Sequence, residues 1–357
     1  MIKHWRQIFS VSLFVPTTTR RRRTRSTMAL AAWIAKDLQV RLYTTAASSQ
    51  YLRCRPSMIR NVLLERGLCL LDSCVAPVYA VLTLVAASSL ALPVLRDLAS
   101  HGKTRCRGRS DAFLVRKSRF LHFYVCGLVS LAVVCGLSTS TVTASPATTD
   151  RTLPWPRMSV VLLWIHLARR TYECCFVHRS RTTSKMHVAG YLLGILHYVL
   201  LPLVFVSPPC PGTSFLTVDV SQLASSWVTV TVSLFCLWAQ YQQCRHHCLL
   251  ARLRPFTTTT INTKTDYRLP VGGWFEWVTC PHYFAEILIY VAFAVLLELE
   301  QHGSPQNRLW LRLRPVLLVV WVVTNLTLSA WQSHEWYVQH VADYARLGRS
   351  AIVPFLL

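Results

Sequence analysis

The sequence predicts an all-α integral membrane protein with about seven transmembrane helices, and three observations carry that expectation. The 357-residue chain is 52% hydrophobic and only 15% charged, where soluble domains carry about a quarter charged residues. Its mean hydropathy is positive, at +0.35. Apolar runs close to the roughly 20 residues that cross a bilayer recur along it.

The runs, in order, are Cys74–Leu95, Phe120–Val142, Met158–Val177, Val188–Ser207, Leu223–Tyr241, Tyr283–Leu299 and Pro315–Trp331. The third holds His166, Arg169, Arg170 and Glu173 inside or at its end, and the sixth holds Glu286. Polar groups at that depth are costly and normally face a cavity. The residues that weaken these two runs as plain spans therefore mark them as places for a site.

Charge orders the connections. The net charge is +23, yet no basic face is interleaved with exposed aromatics, so no nucleic-acid partner is expected. Basic residues crowd the connections after the first run (Lys103, Arg105, Arg107, Arg109, Arg116, Lys117, Arg119), the third (Arg179, Arg181, Lys185) and the fifth (Arg245, Arg252, Arg254, Lys264, Arg268), and the tail (Arg346, Arg349). The connection 208–222 has none, and 143–157 has only Arg151 and Arg157. Under the positive-inside rule this alternation puts the C-terminus in the cytosol after seven crossings. Arg308, Arg312, Arg314 and the basic N-terminus fall on the other side and disagree with it.

Residues 1–70 read as a basic N-terminal extension. The Arg20–Arg23 run, Arg25 and many Ser and Thr resemble a transit peptide or an unstructured tail, and Met28 or Met58 offers a later start. The membrane domain is expected over 72–357, with 158–357 as its C-terminal part. None of the 13 cysteines forms a CxxC pair. Cys244-Arg-His-His-Cys248 reads as a basic helix end, so no metal is expected, and nothing requires a disulfide. Asn325-Leu-Thr327 matches a glycosylation acceptor but lies inside a span.

No GxGxxG, Walker, His-Glu-x-x-His or Gly-x-Ser-x-Gly sequence occurs, so Rossmann and P-loop nucleotide sites are not supported. What remains is a set of polar residues at the cytosolic ends of the later spans. Arg170, Arg254, Arg268 and Arg349 are candidates to grip phosphates, because a guanidinium offers planar, paired donors; each is also explained as a snorkelling span end. In Cys280-Pro-His-Tyr-Phe-Ala-Glu286, Pro281 fits a helix's first turn, so His282, Tyr283 and Glu286 project from its opening. His334 and Tyr337 recur one turn apart at the end of the last span, and His122 and Tyr124 stand at the start of the second. Between the fifth and sixth spans, Pro270, Gly272 and Gly273 favour a tight turn among aromatic residues suited to a membrane interface.

These motifs together resemble the steroid 5α-reductase family. Tyr267-Arg268, Pro270-Val-Gly-Gly-Trp-Phe-Glu276, Pro281-His-Tyr-Phe-Ala-Glu286, His334-Glu-Trp-Tyr337, Asp343-Tyr344 and the ending Arg349–Leu357 are similar to its C-terminal domain. Trp164-Ile-His-Leu-Ala-Arg-Arg170, Tyr172-Glu173, Met186-His-Val188 with Tyr191, Gly102–Cys106 and Phe120–Tyr124 are similar to its polyprenol reductase branch. The resemblance implies a seven-helix fold in the endoplasmic reticulum membrane and an NADPH cavity open to the cytosol. It implies cofactor contacts at Arg170, Gln243, His247, Arg254, Tyr267, Arg268, His282, Tyr283, Glu286, Tyr337 and Arg349. Where the steroid enzymes place a Gln-Glu pair on the second span, this chain has His122-Phe123, and where they place a Tyr on the third it has Leu167. Both departures argue against a steroid as main substrate. Ala345 stands where the family has a Pro.

The implied activity is reduction of the α-isoprene double bond of a long-chain polyprenyl lipid, which supplies dolichol for protein N-glycosylation. Hydride adds to an electron-poor carbon, so polyprenal is the expected acceptor rather than polyprenol. Tyr124 and His122, then His334, are the candidate proton donors. The rivals are 3-oxo-steroid reduction, an isoprenylcysteine-type methyltransferase (from the likeness of Pro281-His-Tyr283 to its His-Pro-x-Tyr helix start) and a seven-span receptor. No obligate protein partner is evident.

Overall fold

The computed structural model describes residues 56–89, 113–142, 157–178, 184–206, 227–253, 269–301 and 309–355. The chain divides into two compact units, 1–62 and 63–357. Of the first, only the opening of one helix is described.

Among the described residues are seven long helices: α1 (Pro56–Ser88), α2 (Leu121–Val142), α3 (Met158–Tyr172), α4 (Val188–Phe205), α5 (Trp227–Arg252), α6 (Pro281–Gln301) and α7 (Leu309–His340). Five stretches of the described residues are long and apolar enough to cross a membrane: Leu70–Ser88, Lys117–Leu137, Val188–Phe205, Pro281–Glu300 and Arg312–His340. The protein is thus an all-α integral membrane protein. The third and fifth expected runs also form helices, but α3 is only 15 residues long and α5 continues well past Tyr241 into a polar sequence. The first helix begins earlier than its apolar run, and the end of that run, 90–95, lies outside the described residues.

The surface follows from the solvent. Leu84, Val129, Phe176, Trp227 and Leu234 are each more than half exposed, an apolar exterior that suits acyl chains and not water. Inside, Leu131, Leu163, Leu167, Leu201, Phe293 and Leu297 form part of one continuous core. Helices pack chiefly as α5 on α6, α2 on α4, α6 on α7 and α2 on α3. Without a hydrophobic drive in lipid, close approach depends on small residues. Gly194 of α4 meets α2 so closely that an added Cβ would lie 2.6 Å from the Phe123 ring.

A two-stranded antiparallel ribbon, β1 (Leu114–Arg116) with β2 (Lys185–His187), pairs Val115 with Met186 and sets α2 and α4 side by side. His187 then caps α4, its Nδ1 accepting from the Ala189 amide at 3.1 Å. At the opposite end of the bundle, Glu300 of α6 accepts from the Ser159 amide (2.9 Å) and hydroxyl (2.5 Å) at the start of α3. There too Arg314 of α7 forks onto Asp72 of α1, at 2.6 and 2.8 Å. Arg314, which conflicts with the positive-inside pattern when read as a loop charge, is a buried ion-pair partner.

Candidate active site

The polar residues converge where α2 and α6 begin and α3, α5 and α7 end. The last turn of α3 opens into a π-helical turn, Glu173–Val177, closed by the His178 amide on the Glu173 carbonyl at 2.7 Å. Such bulges re-aim side chains. Glu173 is fully buried and takes hydrogen bonds from both Arg169 and Arg170. Nδ1 of His247 lies 2.7 Å from the same carboxylate. Arg169 also donates to the Gln243 carbonyl oxygen, and the Gln243 amide donates to Glu286. His166 Nε2 is 3.4 Å from the other Glu286 oxygen. With neutral histidines, two guanidiniums and two carboxylates balance, which makes burial of four charges tolerable.

Arg170 turns its remaining edge on α2. Its Nε and Nη2 donate to the Tyr124 hydroxyl oxygen at 3.1 and 2.5 Å, with the guanidinium carbon 4.7 Å from the ring centre. Both residues are buried.

A second group is built by the C-terminal segment. Asp343 (φ 57°) and Gly348 (φ 62°) take left-handed turns that fold 341–352 back on the start of α6. Ser350 forms a parallel bridge with Val278, and the Thr279 and Cys280 amides donate to Ser350 and Ala351 carbonyls at 2.8 and 3.2 Å. The buried Thr279 hydroxyl lies 2.7 Å from His334 Nδ1, 2.7 Å from the Tyr344 hydroxyl and 3.1 Å from the Ser350 carbonyl. One arrangement satisfies all three: Thr279 donates to Ser350 and accepts from the other two. Burial pushes the Tyr344 phenol up, which keeps it a donor. Tyr337 stacks on Tyr344 with centroids 5.1 Å apart. Arg349 is buried and donates to the Pro270 carbonyl at 2.9 Å. The two groups meet at His282, whose ring lies 5.4 Å from that of His247 and 4.2 Å from that of Tyr283.

Residues 213–357, which span α5 to α7 and the tail, match the family model described as 3-oxo-5-alpha-steroid 4-dehydrogenase. The polyprenal reductase of Xenopus tropicalis is 31% identical over 293 residues, 75% of this chain and 90% of that protein. Those of Danio rerio (29% over 291 residues; 74% and 88%) and Homo sapiens (29% over 294 residues; 74% and 86%) are similar to it over the same extent. The chain belongs to the steroid 5α-reductase family. It is therefore an oxidoreductase of that family, and methyltransferase and receptor readings fall away.

Against this family frame, the structure brings together Tyr124, Arg170, Gln243, His247, His282 and Glu286, and beside them Tyr283, Tyr337, His334 and Arg349. It separates His122, which is exposed and bonded to the Tyr191 hydroxyl at 2.7 Å. Two residues along a helix is about 200° around it, so His122 and Tyr124 face opposite ways. His334 is held in the C-terminal group by Thr279. Arg254, Tyr267 and Arg268 lie outside the described residues. Sequence reasoning did not single out Thr279, which has no pattern of its own. It also left Glu173, Arg169 and His166 without a role, although carboxylate and guanidinium at i, i+3 and i, i+4 spacing was a usable signal.

The residues fit a dinucleotide phosphate on one observation. Among the described residues, buried Nδ1 of His282 and Nε of Arg169 and Arg349 have no hydrogen-bond partner, a costly state unless a polar ligand or water meets them. Among the described residues Glu173, His178 and His247 also offer ligand atoms within 4.8 Å of one another. Arg169 and Arg170 already neutralise that carboxylate, so a cation there would meet two guanidiniums.

Proposed function

We propose that the protein reduces the α-isoprene double bond of a long-chain polyprenal with NADPH, in the endoplasmic reticulum membrane, on the way to the dolichol carrier for N-glycosylation. The site faces the cytosol, with the C-terminus on that side. The observation that carries this reading is the Tyr124 hydroxyl held by two Arg170 donors inside a bundle with an apolar exterior. It is an acid next to a polar, nucleotide-compatible end and within reach of lipid. Relatives carrying the name polyprenal reductase support the same substrate.

Bound at this end, the nicotinamide supplies a hydride to an electron-poor carbon. Conjugation with an aldehyde makes the β-carbon of the α-isoprene unit electron-poor, whereas an isolated allylic alcohol offers no such carbon. The enolate left behind needs a proton at its α-carbon. Tyr124 supplies it, and Arg170 stabilises the negative charge that appears on the phenol oxygen. Arg169, Arg349, His282, Tyr283 and Tyr337 would hold the phosphates and rings, while Gln243 and His247 fix the Arg169 and Arg170 guanidiniums and Glu286 holds Gln243. The prenyl tail stays among the outward apolar side chains. Leu167, where the steroid enzymes have Tyr, is fully buried in apolar core, which disfavours a steroid ketone.

The test is NADPH oxidation by membranes containing the full chain, with polyprenal and polyprenol offered separately and products weighed. A gain of two hydrogens from polyprenal but not polyprenol is expected. Turnover of neither lipid by protein that binds NADPH would sink the reading.

A further inference from the structure

At the end of the bundle that holds the site, the β1–β2 ribbon carries a charge pattern that the reaction does not use. Arg116 and Lys185 stand directly opposite each other in the ladder, so their side chains leave the same face with Cβ atoms about 5 Å apart. Side chains alternate along a strand, and the register sorts the two faces. Val115 and the buried Met186 turn toward the bundle, while Arg116 and Lys185 turn away from it. Both are exposed, as is Arg119 in the turn of 3-10 helix that follows β1. Segments 113–120 and 184–188 contain no Asp or Glu. Among the described residues, no ion pair or side-chain hydrogen bond engages Arg116, Arg119 or Lys185. Like charges directly opposite each other weaken a strand pair, so the ribbon carries a repulsion that no described group offsets.

The apolar stretches fix the depth of this face. One begins at Lys117, immediately after β1, and another at Val188, immediately after β2. Antiparallel strands that each lead into a neighbouring helix lie across the ends of those helices. The ribbon therefore sits at headgroup level, a layer about 5–7 Å deep. At its edge Phe113 is held at φ 65°, a left-handed conformation that is costly for a bulky residue. The Phe113 carbonyl accepts from the Val188 amide at 2.9 Å, and the Ser184 carbonyl accepts from the Lys117 amide at 2.9 Å. The ladder is thus closed at both ends, and the Phe113 ring is left 74% exposed. Basic groups with an exposed apolar ring are the pattern of a contact with an anionic membrane surface.

We propose that the outward face of the ribbon binds the headgroup of an anionic phospholipid, with Arg116 and Lys185 on the phosphate, Arg119 beside them and Phe113 among the upper acyl carbons. A guanidinium pairs with two phosphate oxygens and an ammonium adds a point charge. The shared anion converts repulsion between the strands into attraction to one ligand, and so braces α2 against α4. A zwitterionic headgroup carries its own cation and does this less well. The lipid belongs to the cytosolic leaflet, where anionic phospholipids gather; that assignment rests on the proposed orientation of the chain, and the binding does not.

Basic residues that serve only to orient the chain on insertion would need no bound lipid, so the experiment counts lipid on the folded protein. Full-length protein in detergent is given equal amounts of phosphatidylserine and phosphatidylcholine, and the lipids retained are counted by native mass spectrometry. Wild type is expected to retain phosphatidylserine in preference. Each basic residue near an anionic headgroup is worth about fivefold in binding, so Arg116→Gln with Lys185→Gln should weaken phosphatidylserine retention roughly 25-fold. Arg245→Gln with Arg252→Gln, which removes the same charge from exposed positions on α5, should leave it unchanged. Thermal melts in phosphatidylcholine alone check the first pair: with the repulsion gone, it should melt no lower than wild type. A lower midpoint there would show that the two side chains bond within the protein, and the proposal fails. It fails too if wild type retains both lipids equally, or if the α5 pair loses as much phosphatidylserine. None of these readouts needs NADPH or turnover, so this inference and the reductase reading stand or fall separately.

Discussion

Arg170 grips Tyr124 twice, from Nε at 3.1 Å and Nη2 at 2.5 Å, across a gap between α3 and α2. The grip explains why a guanidinium that the sequence offers as a phosphate clamp is largely committed within the protein. Its third edge is taken by Glu173, so it acts first on a tyrosine. If that tyrosine is the acid, Tyr124→Phe should lower kcat by about a hundredfold or more while NADPH affinity holds. Steady-state assays with polyprenal and a cofactor titration separate the two. Unchanged kcat would remove Tyr124 from the chemistry.

Glu173 is the hub of the charged network, joined to Arg169, Arg170 and His247 and without exposure. Removing its charge leaves two guanidiniums facing each other across a buried gap. Glu173→Gln is expected to destabilise the fold by about 3–5 kcal/mol, read as a lower thermal midpoint in detergent. A midpoint equal to wild type would mean that water reaches these guanidiniums.

How far the sequence anticipates this arrangement depends on what each signal measures. Apolar runs report lipid contact, so they locate α2, α4 and α6 almost to the residue: Val188–Ser207 is expected and Val188–Phe205 found. The same signal stops at Tyr241 on α5, yet that helix continues to Arg252. Gln242, Gln243, His246 and His247 are all buried there, turned into the protein, where hydropathy reads them as the end of a span. The site thus occupies the part of α5 that hydropathy misses, and Gln243 and His247 become candidates only through resemblance. The ribbon between Leu114 and His187 is illegible for another reason: each strand has only three residues, too few for an alternation to show. Thr279 is a hub only because chain ends 65 and 71 residues away fold onto it.

The Asp72–Arg314 pair ties α1 to α7 at the end away from the site, with two side-chain bonds of 2.6 and 2.8 Å. Breaking one side strands a buried charge, so Asp72→Leu should destabilise by about 3–5 kcal/mol, whereas Asp72→Leu with Arg314→Leu should recover most of that loss. Thermal melts of the singles and the double give the coupling directly. The surviving folded protein should keep wild-type KM values, because no catalytic candidate touches this pair. Additive effects of the two changes would show that the pair is not coupled.

Thr279 is the joint between the C-terminal segment and the helix that carries His282, Tyr283 and Glu286. Its hydroxyl serves His334, Tyr344 and the Ser350 carbonyl at once, and the neighbouring Arg349 is anchored to the Pro270 carbonyl. Thr279→Val keeps the shape, and the residue's amide still serves the Ser350 carbonyl, but the buried Tyr344 hydroxyl and the half-buried His334 Nδ1–H lose their acceptor, at roughly 1–3 kcal/mol for each group left unsatisfied. The segment then has less reason to stay on α6, and the groups that would hold the phosphates lose their register. NADPH should bind about tenfold more weakly to Thr279→Val, with kcat at saturating cofactor little changed, because Tyr124 and Arg170 stand on other helices. Thr279→Ser keeps the hydroxyl and should bind as wild type does. Fluorescence titration of NADPH against the three proteins decides it: equal affinity for valine and threonine would mean that the C-terminal segment plays no part in holding the cofactor.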